Sequence, residues 1–210
     1  MKGYERMRKK RVGIMGGTFD PIHIGHLAMA ENVREQIGLD EVLFIPAAQP
    51  PHKRDRRIAP AQDRMRMTEL AVADNPYFQA SPIELEREGP SYSLFTIRQL
   101  QLVYGNRAEF YFLIGSDAIN ELPSWYHARE VVTSCCFITM VREGTALDLS
   151  ALRDAFGDEV ALDEHIRVIH TPLLEISSTD IRRRVQEGRS LRYLVPTVVA
   201  DYIYEKGLYK

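Results

Sequence analysis

The chain has 210 residues, of which 45% are apolar and 27% are charged, and these values are typical of an ordinary globular protein. Its 27 basic and 29 acidic residues leave a formal charge of −2 at pH 7. This near balance argues against a dedicated nucleic-acid-binding protein, because such proteins bind through an excess of cations. A chain of this length can bury a full core without cross-links or metals, so we expect a single domain at residues 12–210 behind a basic tail at residues 1–11.

The sequence has no apolar run near the roughly 18 residues that span a bilayer, and its first residues lack the apolar core of a signal peptide. The two cysteines, Cys135 and Cys136, are adjacent, so they cannot form an ordinary disulfide and lack the spaced partners of a zinc site. We therefore expect a cytoplasmic protein with no membrane partner, whose thiols are reduced and packed in the core.

The first predicted elements form a β-α-β unit. The apolar run at residues 12–15 predicts a strand that ends at two glycines, and residues 24–37 show near-helical spacing before Gly38. A second apolar run at residues 42–45 predicts a strand parallel to the first. Residues 49–57 are polar, cationic and proline-containing, which predicts an exposed loop.

Strands and helices continue to alternate along the chain. Further helices are predicted at residues 61–73, 91–103, 128–133 and 149–156, and further strands at residues 78–85, 110–114, 137–141 and 166–169. This alternation favours an α/β fold with a central parallel sheet. From Ser177 the pattern becomes helical, with one helix that ends near Gly188 and a last helix at residues 196–206.

The segment with the clearest chemistry reads Gly-Gly-Thr-Phe-Asp-Pro-Ile-His-Ile-Gly-His at residues 16–26, between the first strand and the first helix. In an open parallel sheet, ligands bind at the carboxyl ends of the strands, where a helix start offers unpaired N–H groups to anions. The segment is neither Gly-x-Gly-x-x-Gly nor a phosphate loop that ends in Lys-Ser/Thr. His23 and His26 are three residues apart, so both rings should share one face and could donate to phosphate. We interpret the segment as a phosphate loop built on histidines, in preference to a pair of capping or core histidines.

These residues resemble the (H/T)-x-G-H signature of the nucleotidyltransferase superfamily, in the form found in bacterial nicotinate mononucleotide adenylyltransferases. Other segments resemble motifs of that family in the same order, at residues 50–53, 90–96, 112–117, 122–126 and 176–182. One departure lies in the second of these, since the family commonly reads Ser-Tyr-Thr-x-Asp-Thr and this chain has Ser93 and Phe95 at two of those places. The resemblance covers most of residues 12–182 and implies a Rossmann-like, doubly wound parallel sheet with a C-terminal helical segment.

The resemblance also implies an enzyme that transfers the adenylyl group of ATP to nicotinate mononucleotide, in NAD biosynthesis, with pyrophosphate as the other product. Both reactants are anions, so in-line attack needs positioning and charge stabilisation but no covalent enzyme intermediate. Mg²⁺ is expected as a cofactor carried by the ATP phosphates, with no protein metal site. The implied catalytic residues are His23, His26, Lys53 and Arg182. The implied ATP-binding residues are Gly16, Gly17, Thr18, Phe19, His26, Gly115, Asp117, Ile176, Ser178, Thr179 and Arg182. The implied mononucleotide-binding residues are Thr18, His23, Lys53, Thr96, Trp125 and Tyr126.

Several of these residues have plainer structural interpretations. Trp125 is either a packing residue or a platform for the nicotinate ring, and Asp117 is either a surface carboxylate or a partner of a ribose hydroxyl. Asp20 fits a loop cap before Pro21 as well as a phosphate-site role. Among the three arginines at 182–184, successive helix positions point about 100° apart, so we select Arg182, which matches the motif.

Two other functions stay open. Another member of the superfamily, such as a pantetheine-phosphate adenylyltransferase or a cytidylyltransferase, would share the histidine loop but is not expected to share the segments at 50–53 and 122–126 together. A nucleotide-sensing module without turnover is the non-enzyme alternative, and the presence of both histidines, Lys53 and Arg182 argues against it. The sequence also leaves a homo-oligomer open.

Overall fold

The computed structural model describes residues 8–50, 58–141, 146–171 and 174–210. Its strands are β1 (Lys10–Gly17), β2 (Glu41–Pro46), β3 (Phe78–Ala80), β4 (Ala108–Gly115), β5 (Cys136–Val141) and β6 (Ile166–His170). These strands form one parallel sheet in the order β3-β2-β1-β4-β5-β6. This is the strand order of the Rossmann fold, so the predicted α/β class is confirmed.

The helices cover both faces of the sheet. They are α1 (Ile24–Ile37), α2 (Ala61–Val72), α3 (Ser93–Tyr104), α4 (Ser116–Ile119), α5 (Ala128–Ser134), α6 (Ser150–Phe156), α7 (Leu162–His165), α8 (Ser178–Gln186) and α9 (Thr197–Lys206). One face packs against the apolar sides of α1, α2, α8 and α9, and the other packs against α3, α5, α6 and α7. The C-terminal helical segment is therefore part of one core layer. None of the helices in the described ranges has the length and apolarity that a membrane crossing needs.

Local sequence signals set several boundaries. Helix α1 ends at Gly38, which adopts a left-handed φ of 64° and donates its backbone N–H to the carbonyl of Arg34. Helix α8 begins after Ser177, whose hydroxyl accepts a 3.1 Å hydrogen bond from the backbone N–H of Asp180. Helix α9 follows Pro196, and Gly207 ends it with a φ of 62°.

Other boundaries differ from the predictions. Strand β3 ends at Ala80 instead of residue 85, because Pro82 has no N–H for a sheet and the chain turns there, with Leu85 N–H bonded to the Pro82 carbonyl at 2.7 Å. Strand β1 begins inside the predicted tail, at Lys10, whose ammonium lies 2.7 Å from Glu41. Helices α4 and α7 were not predicted, since four residues are too few to show helical periodicity.

The strand order places the reversal of the sheet at its centre. Strand β1 pairs with β2 on one side and with β4 on the other, and the chain crosses between these two halves through α3. The segments that leave the carboxyl ends of β1 and β4 therefore diverge to opposite faces and leave a crevice between them. The residues of that crevice form the candidate site.

Candidate functional site

A cavity of about 340 Å³ lies at the carboxyl ends of β1 and β4. It brings together seven of the residues predicted from the sequence: Gly16, Gly17, Thr18, His26, Thr96, Gly115 and Trp125. A Cβ atom added at Gly115 would meet no heavy atom within 4 Å, so the backbone at the end of β4 is open to a ligand. The cavity is therefore a meeting point of the predicted ATP-binding and mononucleotide-binding residues.

The two histidines lie on one face at the start of α1, as their spacing predicted. Their rings are stacked, with centroids 3.6 Å apart and planes 24° apart. The backbone N–H of His23 donates to Nδ1 of His26 at 3.2 Å. A ring that accepts at Nδ1 carries its proton on Nε2, so Nε2 of His26 is the donor atom.

His23 is buried behind His26. Only 6% of His23 is exposed, and burial lowers the pKa of its imidazole to about 4, so the ring is neutral near pH 7. Its Nδ1 atom is buried without a hydrogen-bond partner among the described residues. A Cβ atom at Gly25 would lie 3.1 Å from that nitrogen, so Gly25 leaves room for the ring. Since His23 is not among the described residues that line the cavity, its position is that of a support for His26.

Phe19 packs behind the loop, and its side chain is not at the ligand side. The residue adopts a left-handed φ of 48°, and its buried ring meets the His26 ring edge-on at 5.1 Å and the Phe44 ring at 6.0 Å. A Cβ atom at Gly17 would lie 2.9 Å from the Phe19 ring, so the turn requires glycine there. The Phe19 ring therefore packs beside His26, and the predicted ATP contact of Phe19 stays a prediction.

Glu84 belongs to the cavity wall and was missed in the sequence, where it is one acidic residue among several. Both Glu84 and Thr96 are buried, and the Thr96 hydroxyl donates to Oε1 of Glu84 at 2.5 Å. The Thr96 hydroxyl uses its hydrogen in the bond to Glu84, so it can act toward a ligand only as a hydrogen-bond acceptor. The Thr96 hydroxyl is therefore not available as a donor to a nicotinate carboxylate, and the expected contact of Thr96 with nicotinate stays a prediction.

The side chains of Trp125 and Tyr126 have different surroundings. Trp125 is half-buried, lines the cavity, and packs edge-on against Phe112 at 5.8 Å, so it serves in packing and faces the cavity as well. The Tyr126 ring instead stacks on Tyr92 at 4.5 Å and is not among the described residues that line the cavity. A ligand contact of Tyr126 would therefore involve its backbone.

Helix α8 docks onto the histidine loop at Asp20 and Pro21. Ser178 donates its hydroxyl to the Pro21 carbonyl at 2.9 Å, and Nη1 of Arg182 donates to the Asp20 carbonyl at 2.7 Å. Arg182 and Thr179 line a second cavity, of about 520 Å³, whereas His26 lines the first. The predicted site residues thus meet at one loop but are divided between two cavities.

The carboxylate of Asp20 is buried beneath this junction. Its Oδ1 atom accepts hydrogen bonds from the hydroxyl of Tyr209 at 2.8 Å and from the backbone N–H of Ala59 at 3.1 Å. The neighbouring guanidinium of Arg64 is almost wholly buried and donates to the carbonyls of Thr18 at 2.7 Å and Ala59 at 3.0 Å. Asp20 is therefore a junction of distant segments and neither a simple cap nor an exposed phosphate contact.

The remaining residues predicted from the sequence are Ile176, Lys53 and Asp117. Ile176 is half-buried and packs into the core layer that contains α8. Lys53 lies outside the described residues, and the side chain of Asp117, at the start of α4, is outside them as well. Within the described ranges there is no group of three or more histidine, cysteine, aspartate or glutamate side chains that could hold a metal ion.

A family model and curated relatives match most of the chain. The model of the cytidylyltransferase-like family matches residues 14–184. A probable nicotinate-nucleotide adenylyltransferase of Thermoanaerobacter sp. (strain X514) is 44% identical over 208 residues, which cover 97% of this chain and 96% of the relative. The protein of the same name from Roseiflexus sp. (strain RS-1) is 45% identical over 205 residues, with coverage of 97% and 100%.

A solved structure agrees with the fold. Plasmodium falciparum nicotinic acid mononucleotide adenylyltransferase, complexed with NaAD, superposes with a TM-score of 0.76. The match covers 95% of this chain and 97% of the other at 21% identity, and at that identity it supports the fold alone.

Proposed function

The chain belongs to the nicotinate-nucleotide adenylyltransferases of the cytidylyltransferase-like family, and we propose that it transfers the adenylyl group of ATP to nicotinate mononucleotide. The products are nicotinate adenine dinucleotide and pyrophosphate, which makes the reaction a step in NAD biosynthesis. The observation that carries this proposal is the 340 Å³ cavity, where the glycine loop, His26 and Trp125 meet at the centre of the sheet.

The proposed reaction is an in-line attack by a phosphate oxygen of the mononucleotide on the α-phosphorus of ATP. Such a reaction needs two anions held together and stabilisation of the charge that develops on the α-phosphoryl group, but it needs no protein nucleophile. Gly16 and Gly17 line the cavity with backbone atoms that phosphate can approach, and Nε2 of His26 supplies a neutral donor. His23 supports that donor through the ring stack and its backbone N–H.

Arg182 supplies a cation at the edge of the site. Its guanidinium is bonded to the loop that carries the histidines and lines the 520 Å³ cavity on the α8 side. We assign it to the ATP phosphates, together with the Thr179 hydroxyl and the backbone N–H groups at the start of α8. The Ser178 hydroxyl donates to the Pro21 carbonyl, so we assign Ser178 to ATP through its backbone. Lys53 is proposed to contact phosphate from the polar, cationic segment that the sequence has at residues 49–57.

The mononucleotide is assigned to the side of the cavity that Trp125 lines. A pyridine ring can stack on the exposed part of this indole, as aromatic rings do with offset or edge-to-face geometry. The carboxylate of nicotinate is then recognised by backbone N–H groups near Thr96 and Tyr126, since the Thr96 hydroxyl donates to Glu84. Gly115 and Asp117 are assigned to the ribose of ATP.

We propose that Mg²⁺ binds together with ATP. Mg²⁺ is assigned to the phosphate oxygens of ATP and to water, because it commonly keeps several waters and binds with substrate phosphates. When bound there, it neutralises phosphate charge.

Cys135 and Cys136 are unpaired, as a reducing cytoplasm would keep them, and a cytoplasmic location is part of the proposal.

A pyrophosphate-release assay tests the function. Purified protein is incubated with ATP or CTP, with and without Mg²⁺, and with nicotinate mononucleotide, nicotinamide mononucleotide or phosphopantetheine. The proposal expects the highest kcat/KM for ATP with nicotinate mononucleotide and a dinucleotide product. A preference for phosphopantetheine or for CTP would assign the chain to another activity of the superfamily, and ATP binding without any pyrophosphate release would indicate a sensing module.

A further inference from the structure

We infer that the hydroxyl of Tyr209 is a positioning group for Arg182, and that it acts through the buried carboxylate of Asp20. The inference rests on the proposed function, because that function assigns Arg182 to the phosphates of ATP. Tyr209 follows helix α9 and lies 189 positions from Asp20 in the sequence, so no motif connects the two.

The two oxygens of the Asp20 carboxylate have different partners. Oδ1 accepts from the Tyr209 hydroxyl at 2.8 Å and from the Ala59 N–H at 3.1 Å. Oδ2 is buried, has no hydrogen bond among the described residues, and lies 3.5 Å from Nη1 of Arg182. That nitrogen donates to the Asp20 carbonyl at 2.7 Å. The carboxylate therefore faces Arg182 with one oxygen while its other oxygen is held from behind.

Tyr209 acts in this contact as a donor. Burial, and then the negative charge of Asp20, raise the pKa of the Tyr209 hydroxyl, which keeps its proton over the physiological range. Arg64 adds a second guanidinium near Asp20, but its hydrogen bonds go to the carbonyls of Thr18, Ala48 and Ala59. The hydroxyl of Tyr209 is thus the side-chain donor that fixes Oδ1.

Fixing Oδ1 determines how Arg182 meets Asp20. A carboxylate that can turn freely forms a two-pronged pair with an arginine and uses several of its donors. Here the Tyr209 and Ala59 donors oppose that turn, so Arg182 is oriented by the Asp20 carbonyl and meets Oδ2 only at ion-pair distance. The Arg182 side chain stays 27% exposed and lines the 520 Å³ cavity, which leaves donors for a phosphate. Without the hydroxyl, the Ala59 N–H is the remaining described donor that opposes this turn, so Asp20 turns toward Arg182 more readily and competes with ATP for it.

The variant Tyr209→Phe tests this role against a matched control. Tyr202→Phe also removes a 2.8 Å tyrosine–aspartate hydrogen bond, to Asp63, but neither of those residues is among the described residues that line the two cavities. We expect Tyr209→Phe to weaken ATP binding about tenfold in calorimetry with MgATP, and to lower kcat/KM for ATP by a similar factor. The KM of the mononucleotide should stay unchanged. Equal effects of the two variants on ATP binding would overturn the inference.

A double-mutant cycle shows whether Tyr209 acts through Arg182. In the Arg182→Ala background, Tyr209→Phe should cause no further loss of ATP affinity, because the group it positions is absent. Losses that add would overturn the inference. They would indicate either a direct contact of ATP with Tyr209, which itself lines the 520 Å³ cavity, or a general effect on the fold, and the melting temperatures of all four proteins distinguish these two causes. The cycle uses ATP binding alone, so it decides the role of Tyr209 even if the wild type releases no pyrophosphate and the proposed function fails.

Discussion

The burial of His23 predicts a loss of stability at mildly acidic pH. In the folded protein the pKa of His23 is lowered to about 4 by burial, whereas an unfolded chain returns it to about 6.5. Between these values the unfolded state binds a proton that the folded state excludes. The free energy of unfolding therefore falls as the pH falls from about 6.5 to about 4, and this contribution is constant above and below that window.

The expected size follows from the two pKa values. The lowering from 6.5 to about 4 is worth about 3 kcal/mol, at about 1.4 kcal/mol per pKa unit. This is a large part of the roughly 5–15 kcal/mol by which a domain is stable. Water screens this effect little, because only 6% of His23 is exposed.

Urea denaturation of the ligand-free protein at pH 7, 6, 5 and 4 measures the effect. Other groups also titrate in this range, so the quantity of interest is the difference between the wild type and His23→Asn. We expect the wild type to lose about 3 kcal/mol more than this variant between pH 7 and pH 4. The control His127→Asn changes a histidine whose side chain is 55% exposed and should follow the wild-type curve. Parallel curves for the wild type and His23→Asn would refute the reasoning.

Three further substitutions test the assignments within the cavity. His26→Ala should lower kcat at least ~100-fold with an unchanged circular dichroism spectrum, since a donor to a developing oxyanion is worth about 2.7–4 kcal/mol; near-normal kcat would remove His26 from the site. Trp125→Ala should raise KM for the mononucleotide and leave KM for ATP unchanged, and an effect on ATP alone would mean that the two pockets are exchanged. Gly25→Ala places a Cβ 3.1 Å from Nδ1 of His23 and should lower kcat by displacing the stacked rings, whereas unchanged kinetics would show that the rings adapt without cost.

Much of the fold was predictable because its signals are local. Gly38 and Gly207 adopt the left-handed conformation that ends a helix, and Ser177 caps α8 with its hydroxyl, as the sequence indicated. The exceptions are also physical. The four-residue helices α4 and α7 are too short to have a period, and β3 stops early because the chain turns at Pro82, whose carbonyl accepts from the Leu85 N–H.

The sequence indicated the residues of the candidate site but not the different environments that the fold gives them. His23 and His26 are the same residue type three positions apart, yet His23, at the cap position, is buried, and His26, in the first turn, lines the cavity. Only the packing around α1 distinguishes them. The pair of Glu84 with Thr96 was equally invisible, because buried polar partners are chosen by tertiary contacts and not by spacing along the chain.

The charges of the candidate site are arranged with neutral donors inside and a cation at the edge. Burial keeps His23 neutral, His26 accepts at Nδ1, and the glycine backbone adds N–H groups without charge. The wholly buried cation, Arg64, donates to backbone carbonyls, whereas Arg182 keeps part of its surface open to the second cavity. A buried cation aimed at phosphate would first have to be desolvated, which costs free energy. Neutral donors stabilise the charge that develops during transfer and still release an anionic product, which suits a reaction whose reactants and products are all anions.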